Sequence, residues 1–269
     1  MKKYCRALTI AGSDSGGGAG IQADLKTFSA FGCYGMSALT AITAQNTCEV
    51  SAIHAVPADI VTAQIKAVID DIGVDAVKIG MLNEPKIIAA VAACLDDCGT
   101  ENIVLDPVMV AKSGDKLLQD DAVESLRQNL IPKAIIITPN IPEAEVLSGL
   151  KIEKPEDLER VARSLLALGP RAVLLKGGHF EHQQSPDYLV IKDGAHLWLN
   201  AERTDSVNTH GTGCTLSSAI AASLALGTSL EQAVKQAKNY ITQAIAAGKD
   251  YQIGHGHGPV KHFYAFWQD

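Results

Sequence analysis

The chain has 269 residues, which suits one α/β domain spanning 1–269 with a large core and leaves little room for a second. Its net charge is −7, from 23 basic and 30 acidic side chains with no long run of either sign. That balance argues against nucleic acid and anionic membrane as partners, because both need a concentrated basic footprint. Hydrophobic residues make up 47% and aromatics only 5%, an aliphatic composition suited to a buried parallel sheet covered by helices.

The opening apolar run, 4–10 (YCRALTI), predicts a strand. MKKYCRALTI is too short in apolar residues for a signal peptide, and no later stretch reaches about 18 apolar residues, so a cytoplasmic protein with reduced thiols is expected. After this strand comes AGSDSGGGAG, Ala11–Gly20, whose glycines let the backbone approach a ligand and offer it N–H groups. The segment matches neither G-x-G-x-x-G nor a Walker A loop, and a plain flexible turn is the alternative. Asp24 and Lys26 open the helix expected at 20–31; Asp24 either accepts from a substrate hydroxyl or favours the helix N-terminus.

Strands are then predicted at 35–44 and 51–56, and helices at 57–71 and 84–96 around a strand at 75–79. Gln45 ends the polar-studded run SALTAITAQNT. Its amide sets a donor beside an acceptor, the complement of a 4-aminopyrimidine edge, although it could equally cap the strand. The strand 101–105 leads into Asp106, and a helix is expected at 119–129. Strand 134–138 is followed by Thr138-Pro139-Asn140-Ile141-Pro142-Glu143. Pro142 and Glu143 suit a helix start, yet Asn140 and Glu143, with Asp106, could also hold Mg²⁺, which often takes one or two carboxylates and several waters.

Further helices are expected at 143–148 and 155–168, and a strand at 171–176 that ends in Lys176-Gly177-Gly178-His179. Lys176 could neutralise a phosphate or lie at the sheet's wet edge. Tyr188–Lys192 and Ala195–Leu199 flank Asp193-Gly194 and predict a hairpin. Helices are then expected at 212–225 and 229–247, with Gly227 and Gly248 as stops. The small residues Gly211, Thr212, Gly213 and Cys214 open the first of these. Their amides are aimed where a transferring phosphoryl's charge could lie, and Cys214 sits where a thiol pKa tends to fall. An ordinary capped helix start is the bland alternative.

The βαβ rhythm predicts a mostly parallel sheet sandwiched by helices, with right-handed crossovers. The unusual residues all follow strands, as ligand-binding loops in such sheets do. None of the six cysteines forms a CxxC pair; Cys94 and Cys98 share a predicted helix, but no matching Cys or His pair accompanies them, so zinc is not expected.

Together these segments resemble the ribokinase-like superfamily, and closely its hydroxymethylpyrimidine/phosphomethylpyrimidine kinases. The likeness covers LTIAGSD with GGGAGIQADLKTF, ALTAITAQNT, KIGML, VLDPVMVAKSGD, ITPNIPEAE, LLKGGH, NTHGTGCTLSSAIA and GHGHGPVKHF, nearly the whole chain. One departure is Ser15-Gly16-Gly17 in place of Pro-Ser-Gly. The resemblance implies a three-layer α/β/α sandwich with a β-hairpin, and phosphorylation of a hydroxymethylpyrimidine and then its monophosphate, with ATP and Mg²⁺, in thiamine synthesis. It further implies an anion hole at Gly211–Cys214 with Cys214 at its last position, Asn140 and Glu143 beside Mg²⁺, and Lys176 beside the ATP phosphates. Adenine would lie at the C-terminal helices. Gln45 would read the pyrimidine, with Asp24, Gly12, Ala19, Met81 and Val108 lining its pocket. A homodimer is expected. Two rival readings remain: a pyridoxal kinase, which shares the phosphate-handling parts, and a vitamin-binding or regulatory protein without turnover.

Overall fold

The computed structural model describes residues 2–109, 120–178 and 186–267. Among these, strands and helices alternate from the start: β1 (Arg6–Asp14), α1 (Gly20–Ala30), β2 (Tyr34–Gln45), β3 (Val50–Ala55), α2 (Ala58–Asp71), β4 (Ala76–Ile79), α3 (Pro85–Asp96) and β5 (Ile103–Leu105). They continue as α4 (Asp120–Asn129), β6 (Ile136–Ile137), α5 (Ile141–Ser148), α6 (Asp157–Leu166), β7 (Ala172–Leu175), β8 (Asp187–Ile191), β9 (His196–Leu199), α7 (Thr212–Ala225) and α8 (Leu230–Gly248). The expected residues 110–114 and His179 lie outside the described residues.

All nine strands form one sheet in the order β3-β2-β1-β4-β5-β6-β7-β8-β9. From β2 to β7 the pairing is parallel. The expected hairpin is present as β8–β9, turning at Gly194, whose φ of 97° suits glycine. β7 and β8 are also antiparallel, and a third antiparallel pair, β2–β3, breaks the expected rhythm. Only residues 46–49 join these strands, too few for the crossover that a parallel neighbour needs. The Asn46 side chain closes the turn by accepting from the Cys48 and Glu49 amides.

Strand alternation divides the core in two. Leu8, Ile10, Val77, Ile79 and Leu105 pack with residues of α2 to α6. Ala7, Ala76, Val104 and Leu174 face α1, α7 and α8. Helix α7 is buried for most of its length, which is why its sequence is apolar or small on every side. On its side of the sheet the strands also carry polar groups: Thr9 and Lys78 sit side by side in register, both without solvent contact.

Strand β1 runs four residues past the expected end at Ile10, through a bulge between Ala11 and Ser13. Its neighbours β2 and β4 lie on opposite sides, so the chain reverses direction across the sheet at β1. The crevice beyond its carboxyl end is where such sheets bind ligands.

Candidate active site

Asp14 ends β1 almost fully buried. Its carboxylate accepts from the amides of Gly16 (2.8 Å), Gly18 (3.0 Å) and Ala19 (2.8 Å), and from His210 Nε2 (2.8 Å). Burial opposes its charge, but the hydrogen bonds from His210, Ala19 and Gly16 outweigh it and hold the carboxyl below the usual range. This corrects the expectation that the glycine loop offers its amides to a ligand. These three point inward, because a run of adjacent N–H groups makes a nest for an anion and Asp14 fills it. Two glycines are needed where this loop meets the α7 loop. A Cβ on Gly18 would lie 2.3 Å from His210 Cδ2, and one on Gly211, whose φ is 78°, would lie 1.8 Å from the Gly18 carbonyl oxygen.

The same loop fixes Gln45. Ser15 Oγ donates to the Gln45 carbonyl (2.7 Å) and accepts from the Gln45 amide (2.8 Å), a clip that the departing residue Ser15 supplies. The Gln45 side chain is half-buried, with Nε2 3.4 Å from His210 Nε2 and Oε1 3.2 Å from Thr43 Oγ1. Gly12 packs against Met81, with a Cβ there 3.4 Å from its sulfur, and the Thr40 hydroxyl holds the Met81 carbonyl (2.7 Å). Ala19 is the N-terminal cap residue of α1, and Val108 is half-buried just past β5.

Asp24 departs from its expected place on the pocket wall. It is fully buried, and both carboxylate oxygens are taken: Lys78 Nζ donates to each at 2.9 Å, Thr9 to Oδ2 and Ser218 to Oδ1, each at 2.6 Å. A carboxylate that accepts four hydrogen bonds from three donors in a dry interior is a structural anion rather than one free for a substrate.

Beyond β4, β5 and β7 a second charged group assembles under the start of α7. Lys176 Nζ lies 2.9 Å from Asp106 Oδ1, which also accepts from Thr138 Oγ1 at 3.1 Å. A Cβ on Gly213 would sit 3.3 Å from Lys176 Nζ and 3.5 Å from Asp106 Oδ2, so the first turn of α7 rests directly on this pair. That helix has no side-chain cap, and the amides of its first turn have no acceptor within the helix. The expected cation and anion hole are thus brought together. The expected low thiol pKa is not found: burial pushes Cys214 up to about 11, against the charge of Lys78 and a hydrogen bond from the Gly20 amide. Desolvation of a thiolate outweighs one helix terminus here.

Asn140 and Glu143 form a complete capping box at the start of α5. Asn140 Oδ1 accepts from the Glu143 amide at 2.9 Å, and Glu143 Oε2 accepts from the Asn140 amide at 2.8 Å. Glu143 is nevertheless more than a cap. Burial lifts its carboxyl to about 7; Lys176 lowers it, Asp106 raises it, and the Asn140 and Met109 amides donate to it. Two buried carboxylates therefore share one ammonium, and the surplus negative charge fits a cation that also takes phosphate oxygens and water. No group of three or more His, Cys, Asp or Glu side chains among the described residues forms a complete metal cage, and Cys94 and Cys98 are both free thiols.

Asp14, Lys78 and Ser218 carry no signal of their own in the sequence, and His210 stands there only as part of its motif. Asp14 lay inside a glycine run that drew attention to its backbone, and Lys78 inside an apolar strand. Two surface hollows lie elsewhere, at the amino ends of the strands: one beside Tyr4, Tyr34 and Asp75, the other beside Glu101, Ile135 and Arg171. Neither shares a residue with this site.

A mostly parallel sheet whose carboxyl ends present an uncapped helix start, a half-buried lysine and two buried carboxylates defines a kinase of the ribokinase-like class. Residues 14–261 match the family described as phosphomethylpyrimidine kinase, and the chain belongs to that family. It is 52% identical over 264 residues to the hydroxymethylpyrimidine/phosphomethylpyrimidine kinase of Rhizobium meliloti, covering 98% of each chain. Among solved structures it resembles the phosphomethylpyrimidine kinase of Clostridium difficile (50% identity, TM-score 0.79, 89% of this chain and 99% of that one). It also resembles an ADP complex of Bacillus subtilis pyridoxal kinase (39% identity, TM-score 0.90, 98% and 99%).

Proposed function

We propose that this kinase transfers phosphate from ATP to 4-amino-5-hydroxymethyl-2-methylpyrimidine, and then to the resulting monophosphate, within thiamine synthesis. The observation that carries the choice of substrate is similarity along the whole chain to the Rhizobium relative of that name. The site fits it. Gln45 presents an amide donor and acceptor beside Thr43 and His210, as a ring bearing an exocyclic amine next to a ring nitrogen requires. ATP as donor is supported by the nucleotide bound in the Bacillus subtilis neighbour.

In this reading the substrate hydroxyl attacks the γ-phosphate in line, and the protein acts by positioning and electrostatics. Lys176, braced by Asp106, faces the phosphates. The amides of Gly211, Gly213 and Cys214 receive the charge that develops on the transferring group, while the Thr212 amide turns back to the Thr209 carbonyl (3.3 Å). Cys214 is protonated at neutral pH in the free enzyme, so it serves as a base only if the bound substrate and nucleotide lower its pKa. Asp106 and Glu143 would hold Mg²⁺, with Asn140 keeping Glu143 in place; bound there, the metal neutralises phosphate charge.

The six cysteines are free thiols, which fits a reducing cytoplasm. No helix of the described residues is long and apolar enough to cross a membrane. A homodimer is proposed through the exposed edge strand β3, which carries Ile53.

A second reading, pyridoxal kinase, is favoured by the closeness of fold to the Bacillus subtilis enzyme. A coupled ATP assay with hydroxymethylpyrimidine, its monophosphate and pyridoxal separates the two. Turnover of both pyrimidines above pyridoxal is expected, and a preference for pyridoxal would overturn the proposal. Gln45→Leu sharpens the assay. Loss of a buried two-point contact should lower kcat/KM for the pyrimidine by about 2–4 kcal/mol and spare pyridoxal.

A further inference from the structure

The Gln45 amide is held between two partners whose protons are already assigned by other contacts. His210 Nε2 lies 2.8 Å from the Asp14 carboxylate, which only accepts, so Nε2 carries a proton. Thr43 Oγ1 lies 2.7 Å from the Ser13 carbonyl oxygen, which also only accepts, so the single hydroxyl proton points there. That one proton lies on the Asp14 line, so toward Gln45 His210 has no lone pair to accept with, only the flank of its N–H, while Thr43 shows a lone pair. An amide with Nε2 toward His210 (3.4 Å) and Oε1 toward Thr43 (3.2 Å) meets donor with donor and acceptor with acceptor. Turned over about its last torsion, the same amide removes both mismatches: Nε2 donates to Thr43, and Oε1 faces the positive flank of an N–H whose main partner is Asp14.

We infer that His210, with Asp14 fixing its proton and Thr43 completing the pair, is a specificity-determining positioning residue that sets which way round Gln45 presents its donor and acceptor. The inference rests on the reading that Gln45 faces the aminopyrimidine. Its chemical consequence follows from the ring. Oε1, on the His210 side, takes the 4-amino group, and Nε2, on the Thr43 side, donates to the adjacent ring nitrogen. The hydroxymethyl group is attached next to the amino-bearing carbon, on the side away from that nitrogen. It is thereby directed toward the His210 side, where the chain continues into Gly211–Cys214. The opposite amide orientation would turn the ring over and send the hydroxymethyl group away from the phosphoryl-receiving amides. His210 thus links the recognition amide to the reacting end of the substrate without touching the substrate itself.

The test uses two ligands with inverted edges: the 4-amino substrate and its 4-oxo counterpart, in which C4 carries an acceptor and the ring nitrogen a donor. The wild-type enzyme should favour the amino compound strongly. In His210→Leu, and separately in Thr43→Val, the amide is free to turn, and the ratio of kcat/KM for amino over oxo should fall by about tenfold or more. Equal losses for both ligands would mark a merely structural role and overturn the inference. A measurement that needs no variant is the nitrogen NMR spectrum of histidine-labelled wild-type enzyme. A proton on His210 Nε2 is expected, and a neutral ring protonated only on Nδ1 would refute the proton assignment. Failure of the underlying reading looks different: the wild-type enzyme would not phosphorylate the aminopyrimidine, or Gln45→Leu would leave its kcat/KM unchanged.

Discussion

The ammonium of Lys78 lies 2.9 Å from both carboxylate oxygens of Asp24, and neither side chain touches solvent. Burial works against the charge of Lys78, but attraction to Asp24, with Asp106 adding to it, outweighs that cost and raises its pKa far above the ordinary lysine value. Removing one member leaves the other charged and unpaired in the interior. Asp24→Asn or Lys78→Met should each destabilise the fold by about 3–5 kcal/mol in urea denaturation. The double variant Lys78→Met/Asp24→Leu should recover most of that loss, since apolar replacements of similar volume remove both desolvation costs. Single variants within about 0.5 kcal/mol of wild type would show that the pair is not coupled in this way.

Glu143 carries two roles that a mutation can separate. Glu143→Gln keeps an acceptor for the Asn140 amide, so the capping box survives and stability should change by less than about 1 kcal/mol. The charge that faces Lys176 and Asp106 is lost, and kcat should fall sharply, most of all at limiting Mg²⁺, while pyrimidine binding persists. Unchanged kcat at limiting Mg²⁺ would leave only the cap.

These side chains show where the sequence was legible. The strands and helices came through because aliphatic runs and amphipathic segments have different periods, and their order implied a parallel sheet with the working loops at one end. The β2–β3 pair departs from the βαβ rhythm because the four-residue connection 46–49 permits only an antiparallel return. Lys176, Asp106 and Gly213 stand at strand and helix ends, and the fold brings them together. Asp24 was misplaced because its partner Lys78 lies 54 positions away, and a sequence cannot show that a carboxylate is already satisfied. The loop amides were misread for a nearer reason: Asp14, inside the same segment, takes them.

Cys214 offers a direct test of base against backbone. Its thiol is raised to about 11 by burial, so the thiolate is scarce in the free enzyme at neutral pH. If the free thiolate were the base, kcat/KM would climb about tenfold per pH unit from 7 toward 10. Cys214→Ala should abolish that slope and lower kcat for both transfers while substrate affinity stays. Near wild-type kcat in the variant across pH 6–9 would assign the chemistry to the amides alone.

The last prediction concerns stability against pH. His262 is buried, and burial, with help from the nearby Lys26 charge, lowers its pKa to about 4 from the ordinary 6.5, although its Val260 backbone hydrogen bond works the other way. Its Nε2 lies 3.0 Å from Thr215 Oγ1, and its carbonyl oxygen accepts from Tyr240 (2.6 Å), so the ring is tied into the α7–α8 side of the core. Above pH 6.5 the ring is neutral in both the folded and unfolded chains, and the contribution is fully present. As pH falls below 6.5 the unfolded chain takes up a proton that the folded chain refuses, and stability declines until about pH 4, where the folded ring protonates too. Over that window the loss should reach about 3 kcal/mol, since each tenfold difference in proton affinity between the two states is worth roughly 1.4 kcal/mol. Urea denaturation of wild type and His262→Gln at pH 7.5 and 4.5 isolates this ring from the carboxylates, which titrate in both proteins. The variant should be less stable at pH 7.5 and should lose markedly less on acidification. Equal losses in the two proteins would mean that His262 titrates normally in the folded state and that the α7–α8 core admits its charge.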